Sequence, residues 1–218
     1  MPTISLIAPQ KKTKDRFNIF LDDKFAFGIS SFTLLEHNLK VGKVLEAEDI
    51  ETITKKEELA KLLELATNYL SYRPRSEKEV TDYLVKKIAT HENIKFNQAK
   101  ESTLVPLAIK KLKKYKYLDD NAFAKWWLES RLRSHPKSLR QIKIELKQKG
   151  IGQEILESFA TKSVNEKDIA KKAIEKKIKK WQALPALDFK KKVYQYLLSR
   201  GFGYDTTCET FAFFSKKR

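Results

Sequence analysis

The sequence predicts a mainly α-helical chain of three tandem three-helix repeats, preceded by a small antiparallel β-sheet region. Three observations carry that prediction. Period-two hydrophobic alternation is confined to about the first 50 residues. Helical spacing dominates from Thr54 onward. One joint, a proline followed two residues later by a capping serine, recurs with its surroundings along the chain. Units this small bury little core alone, so stacking them end to end predicts an elongated, curved body.

The β region comes first. A strand is expected at Thr3–Ile7. RFNIFL places Phe17, Ile19 and Leu21 on one face, and KFAFGI does the same with Phe25, Phe27 and Ile29. Asp22-Asp23 separates them at the spacing of a two-residue hairpin. SSFTLLEHNL reads as a short helix, and VGKVL as a turn with a short extended piece. Together these form an N-terminal region over residues 1–53.

Helix grammar then takes over. Thr54-Lys-Lys-Glu57 has the form of a capping box, in which the Thr oxygen accepts a free helix N–H and the Glu reaches back. Leu59, Leu62, Leu63, Ala66, Tyr69 and Leu70 follow at helical spacing. The helix is expected to end near Tyr72, because Pro74 disfavours helix at Arg73. Ser76-Glu-Lys-Glu79 starts the next helix, with Val80, Tyr83 and Leu84 inward. The same joint returns at His135-Pro136, with Ser138-Leu-Arg-Gln141 as the box and Ile142 and Leu146 inward. A looser copy follows Pro185, with Asp188, then Val193, Tyr196 and Leu197.

The last two copies also share an ending. LKQKGIG (146–152) matches LLSRGFG (197–203), with Gly150 and Gly201 in register. Both glycines are expected in the left-handed conformation that closes a helix. The expected units cover 54–118, 119–162 and 163–218. Asp119-Asp120 opens the second, and Asn165 with Asp168 opens the third. Capping accounts for the aspartate pair without a metal or acid/base dyad.

Composition narrows the function. Among 218 residues, 45 Lys and Arg against 28 Asp and Glu give a net charge of +17. That excess points to a polyanionic partner. The charge is uneven: residues 43–67 carry a net −3, whereas residues 110–149 hold 13 basic and four acidic residues. Cys208 is the sole cysteine, which excludes an internal disulfide and fits a reducing cytoplasm. MPTISLIAPQKK lacks the charged start of a secretory signal. No apolar run reaches the roughly 18 residues of a membrane span. No long heptad seam is present, so a monomer is expected.

Catalytic motifs are missing. There is no P-loop and no Gly-x-Ser-x-Gly elbow. The paired glycines end helices and do not join a strand to a helix. His37, His91 and His135 stand far apart and far from Cys208, so no zinc spacing exists. No catalytic, cofactor or metal site is expected. The candidate binding residues are the cations at the joints: Arg73 and Arg75 in the first unit, Arg131, Arg133, Lys137, Arg140, Lys143, Lys147 and Lys149 in the second. Arginine at such places suits forked contacts with phosphate or carboxylate. Lys176, Lys177, Lys179 and Lys180 read as a solvated face. Trp126 and Trp127 are adjacent, so one is expected in the core and the other against a neighbouring unit or a partner.

ATNYLSYRPRSEKEVTDYL, KLKKYKYLDDNAFAKWWLESRLRSHPKSLRQIKIELKQKGI and VYQYLLSRGFGYD together closely resemble the bacterial RecX regulatory family. The resemblance covers roughly residues 60–205, and YLSYRPRSEKEV and YLDDNAFAKWW are its most specific parts. The N-terminal sheet resembles an extension seen in some members. One departure is VKKIATHEN, where the family usually has a Lys-Lys-Gly ending. The resemblance implies a non-enzymatic negative regulator of the RecA recombinase. Such a protein would lie in the groove of a RecA filament on single-stranded DNA and inhibit ATP hydrolysis, strand exchange and co-protease activity. It would act by obstructing filament growth or promoting disassembly. Two other readings stay open: a sequence-independent DNA-binding protein acting without RecA, and a nuclease. The nuclease needs clustered carboxylates for metal, and no such cluster stands out.

Overall fold

The computed structural model describes residues 1–11, 15–158 and 165–216. Three strands come first: β1 (Ile4–Pro9), β2 (Arg16–Leu21) and β3 (Lys24–Ser30). Eleven helices follow among the described residues: α1 (Ser31–Glu36), α2 (Ala47–Ser71), α3 (Glu77–Glu92), α4 (Phe96–Ala99), α5 (Leu104–Lys114), α6 (Asp120–Ser134), α7 (Leu139–Gln148), α8 (Gln153–Ser158), α9 (Glu166–Trp181), α10 (Ala186–Ser199) and α11 (Tyr204–Ser215). The chain forms two compact units. One comprises Met1–Tyr72 and Thr81–Tyr117; the other comprises Arg73–Val80 and the chain from Leu118 on. The division expected between residues 162 and 163 lies outside the described residues.

In the first unit the sheet is antiparallel, ordered β1-β2-β3. Asp22 and Asp23 both take positive φ, 47° and 66°, the conformation of a turn whose twist matches the flanking strands. Ile4, Ile19, Phe27 and Ile29 are buried with Leu39, Leu45 and Ile53. Phe25 leaves that face. The register shifts between Ile19 and Phe20, so Phe20 pairs with Phe25, and Phe25 is exposed. A bulge reverses the side on which residues beyond it project, which simple alternation does not reveal.

The Thr54 capping box is a correction. α2 starts earlier, with Glu46 as N-cap and the Asp49 carboxylate accepting from the Glu46 N–H at 3.2 Å. Thr54 sits inside the helix and donates to the Ile50 carbonyl at 2.7 Å. Glu57 is buried and accepts from the Ser30 N–H and hydroxyl (both 2.8 Å), the Thr33 hydroxyl and Arg16 (3.2 Å). Burial pushes its carboxyl up, but these donors and the Arg16 charge outweigh that and hold it below the usual range. Glu57 thus ties α2 to β2, β3 and α1. Further on, α2 packs on α5, and Tyr69 stacks on Tyr83 with ring centres 4.0 Å apart. Tyr72 is exposed.

The departure VKKIATHEN continues α3 to Glu92. Asn93 follows it at φ 55°, and the Ile94 N–H closes back on the Ala89 carbonyl at 3.0 Å. Asparagine here takes the left-handed position usually given to glycine.

In the second unit, Phe123, Ala124, Leu128, Ile142, Leu146, Ile151 and Leu156 form one core, within α6–α8 and the loop after α7. Ile169, Ala170, Ile174, Phe189, Val193, Leu197 and Phe202 lie in another, built on α9 and α10. Leu132 and Leu139 pack against both. Asp119 caps α6 by accepting from the Asn121 and Ala122 N–H groups at 2.8 and 3.0 Å. Asn165 caps α9 through the Lys167 N–H at 3.1 Å. Cys208 is half-buried, and the Tyr194 hydroxyl donates to it at 3.2 Å. Among the described residues, no helix is long and apolar enough to cross a membrane.

Candidate functional site

The joints bring the candidate cations together, and each rests on a glycine ending. After α7, the Gly150 N–H donates to the Lys147 carbonyl and the Ile151 N–H to Leu146, at 3.0 and 3.1 Å. After α10, Gly201 donates to Leu198 and Phe202 to Leu197, at 2.9 and 3.2 Å. Gly150 and Gly201 have φ 84° and 82°. These are paired closures of the Schellman kind, with Ile151 and Phe202 turned into the two cores.

A helix start docks on each ending. The Ser76 hydroxyl accepts from the Glu79 N–H at 3.2 Å and donates to the Lys149 carbonyl at 2.7 Å. Glu79 completes the box by accepting from the Ser76 N–H at 3.4 Å. At the next joint the Ser138 hydroxyl accepts from the Gln141 N–H at 3.1 Å. Its own N–H donates to the Arg200 carbonyl at 3.1 Å, so that backbone bond takes the place of the expected reach-back from Gln141. The approach is close. A Cβ on Gly150 would stand 2.7 Å from Lys78 Cβ, and one on Gly201 2.7 Å from Ser138 Oγ.

Two acids organise the cations beside these contacts. Glu79 accepts two hydrogen bonds from Arg73, at 3.0 and 3.1 Å, and one from Lys149 at 2.6 Å. Glu145 accepts from Trp127 Nε1 (2.9 Å), Arg131 Nε (2.7 Å) and Lys137 (2.5 Å). Arg131 and Lys149 lie 4.2 and 4.4 Å from the centre of the Trp127 ring, and Arg73 lies 6.0 Å from Trp126. Both tryptophans are half-buried against the α6–α8 core. Burial raises the Glu79 carboxyl, but its hydrogen bonds and the charges of Arg73 and Lys149 prevail and bring it down to about 2. Glu145 is likewise lowered: burial opposes the shift, and the donors Lys137, Arg131 and Trp127 drive it.

The nine predicted residues therefore divide. Arg73, Arg131, Lys137 and Lys149 are held in intramolecular ion pairs. Arg133, Arg140 and Lys147 are exposed, Lys143 is half-buried, and none of these four has an ion pair among the described residues. Arg75 is half-buried at the first joint. Sequence reasoning gives Glu79 only a capping role and Glu145 none. Their partners lie up to 70 residues away, beyond any local signal. Among the described residues, no group of three or more His, Cys, Asp or Glu could hold a metal.

Four family models match: the regulatory protein RecX N-terminal domain at residues 2–46, and the first, second and third RecX three-helix domains at 63–94, 119–158 and 165–209. The regulatory protein RecX of Bacillus subtilis is 35% identical over 209 residues, spanning 94% of this chain and 74% of its own. The chain belongs to the RecX family of regulatory proteins. RecX of Lactobacillus johnsonii is 42% identical over 157 residues, or 72% of this chain and 54% of its own. A crystal structure of a regulatory protein RecX superposes with a TM-score of 0.64 at 28% identity, covering 94% of this chain and 97% of that one. That of RecX from Lactobacillus salivarius shares the fold, with a TM-score of 0.56 at 24% identity over 73% of this chain and 98% of its own. In RecX terms, Ser76 lies in the first three-helix match and Gly150 in the second, while Ser138 lies in the second and Gly201 in the third. The serine-on-glycine dock therefore links successive three-helix segments.

Proposed function

We propose that this chain is a non-enzymatic negative regulator of the RecA recombinase, acting in the cytoplasm as a monomer without a cofactor. It binds the groove of the RecA filament on single-stranded DNA and slows ATP hydrolysis, strand exchange and co-protease activity. The observation that carries the reading is a chain of the RecX regulatory family in which cations without ion pairs among the described residues stand beside a joint fixed by ion pairs. Arg133, Arg140, Lys143 and Lys147 are the contact set. Arg73, Arg131, Lys137 and Lys149 hold the joint that presents them, with Arg75 beside the first. A basic face suits a partner whose groove carries acidic protein and nucleic acid.

The test is single-stranded-DNA-dependent ATP hydrolysis by the cognate RecA, with this chain well below the recombinase concentration and excess competitor DNA in a parallel arm. Inhibition that survives the competitor is expected. Reversing Arg133, Arg140, Lys143 and Lys147 to Glu should raise the concentration for half-inhibition by at least about tenfold, the equivalent of 1.4 kcal/mol. Inhibition unchanged in that variant removes these residues from the contact surface. Inhibition abolished by competitor DNA replaces the filament with DNA alone as the target.

A further inference from the structure

The serine-on-glycine dock is a head-to-tail contact, with a helix start on one side and a helix ending on the other. Contacts of that kind leave two ends over, and through them copies can add without limit. The α3 start lies on the α7 ending, and the α7 start lies on the α10 ending. The α10 start and the α3 ending are left over. Neither has such a contact among the described residues.

The shape of a dock persists at both. At the α3 ending Asn93 takes φ 55°, and the Ile94 N–H donates to the Ala89 carbonyl at 3.0 Å. Ile151 and Phe202 close α7 and α10 in the same way, on Leu146 and Leu197. A cavity of ≈ 310 Å³ opens beside the α3 ending, with Leu62, Leu65, Ile88 and Leu104 in its walls next to His91 and Glu92. At the α10 start Leu187 is 83% exposed. It stands two residues after the capping position, the place from which Lys78 of α3 lies over Gly150.

The atoms that lock a dock are missing from both. Pro185, and not Asp188, holds the capping position of α10, and its carbonyl accepts from the Phe189 N–H at 2.9 Å. The Ser76 and Ser138 carbonyls accept from Val80 and Ile142 in the same way, at 3.1 and 3.0 Å. The first dock is made by a serine hydroxyl and the second by a serine N–H. Proline has neither group. Asparagine reaches the left-handed conformation but carries the Cβ that glycine omits. At Gly150 and Gly201 a Cβ would stand 2.7 Å from the incoming helix. Neither residue helps its own helix. Pro185 gives α10 no side-chain cap, and asparagine is more strained than glycine at positive φ.

We propose that Pro185 and Asn93 are stops. They keep the α10 start of one copy from docking on the α3 ending of the next, and so confine a shape able to polymerise to a single chain. The inference takes only the monomer from the proposed function. The test is sedimentation velocity of the full chain with one component fluorescently labelled. P185S restores a start and N93G restores an ending, and both suit the local backbone. Alone, each variant still meets the other stop and should stay monomeric, as should the parent chain. Mixed, the two variants should form a 1:1 pair with a Kd of about 0.1 mM, at least about tenfold tighter than self-association of any of the three. L187K added to P185S should abolish the pair.

A mixture that shows no pairing at several times that concentration would overturn the stops. So would P185S or N93G pairing with itself as tightly as the mixture does, because the second residue would then block nothing. A pair that survives L187K runs through another surface and overturns the dock as its origin. Self-association of the parent chain would overturn both the stops and the monomer. No recombinase is present, so each of these failures leaves inhibition of the filament standing.

Discussion

The joints at Ser76 and Ser138 use one geometric device with two electrostatic solutions. Each presses a buried capping serine against a helix that closes on a left-handed glycine. At Ser76 the acid sits inside the capping box, so Glu79 both completes the cap and neutralises Arg73 and Lys149. At Ser138 the box holds Gln141, and the acid has moved on along the helix to Glu145, where it gathers Trp127, Arg131 and Lys137. Steric fit is therefore common to both docks, and charge is adapted to each. If so, substitutions at the glycines should act alike at both joints, and substitutions at the polar groups should not.

The largest effect is expected at the glycines. Gly42 supplies the reference, because its φ is 87° and a Cβ there would meet nothing within 4 Å. G42A should cost only the left-handed conformation, about 1 kcal/mol. G201A adds a collision with Ser138 Oγ and with Gln141 Cβ, 2.7 and 2.9 Å away, and should cost about 2–4 kcal/mol. G150A meets Lys78 Cβ at 2.7 Å, an atom fixed to its backbone, and should cost a similar amount. All three tryptophans lie in the second unit, so their fluorescence in a urea titration reads G150A and G201A, while far-UV circular dichroism reads G42A. Equal costs at all three glycines would break the idea that the docks are close-fitted.

Much of this dock was legible in the sequence, because its parts are local. The Pro-x-Ser spacing, the inward residues after it and the glycine register each need only a few neighbouring positions. The hairpin was legible through Asp22-Asp23 for the same reason. Thr54 misled because Thr-x-x-Glu also occurs within a helix, and only the distant donors Ser30, Thr33 and Arg16 show why Glu57 is buried. The pairing of the cations also depends on distant partners. Arg131 is legible as an arginine suited to phosphate or carboxylate, but its partner Glu145 lies 14 residues on, on α7. Lys176 is exposed, as its sequence reading has it, and only the tertiary placement of α10 and the end of α6 shows that it also lines a cavity.

Next in size are the two acids. E79Q and E145Q keep the shape and remove the charge, and each should destabilise the second unit by about 1–3 kcal/mol at neutral pH, the range for hydrogen bonds to charged groups. The pH dependence sharpens the comparison. Glu79 falls from an ordinary 4.5 to about 2 in the folded chain, so the unfolded chain takes up its proton first as pH drops. Its stabilisation is complete above about pH 4.5 and is lost as pH falls toward 2. The difference in urea midpoint between the parent chain and E79Q should therefore shrink steadily from pH 5 to pH 2. A difference that stays constant over that range would show that Glu79 acts through shape and not through its charge.

The smallest effect separates the two serines. S138A removes the acceptor for the Gln141 N–H but leaves the Ser138 N–H on the Arg200 carbonyl, because that bond belongs to the backbone. Its cost should be that of an ordinary N-cap, about 1 kcal/mol. S76A removes the acceptor for the Glu79 N–H and also the hydroxyl that donates to the Lys149 carbonyl. It should cost about 1 kcal/mol more than S138A, the worth of one further hydrogen bond. The ordering matters more than either value, because it asks whether the Ser76 dock is made by the side chain and the Ser138 dock by the main chain. Equal costs would mean that the hydroxyl on Lys149 adds nothing to the cap. A larger cost in S138A would place the principal polar contact at the joint where the main chain alone was expected to suffice.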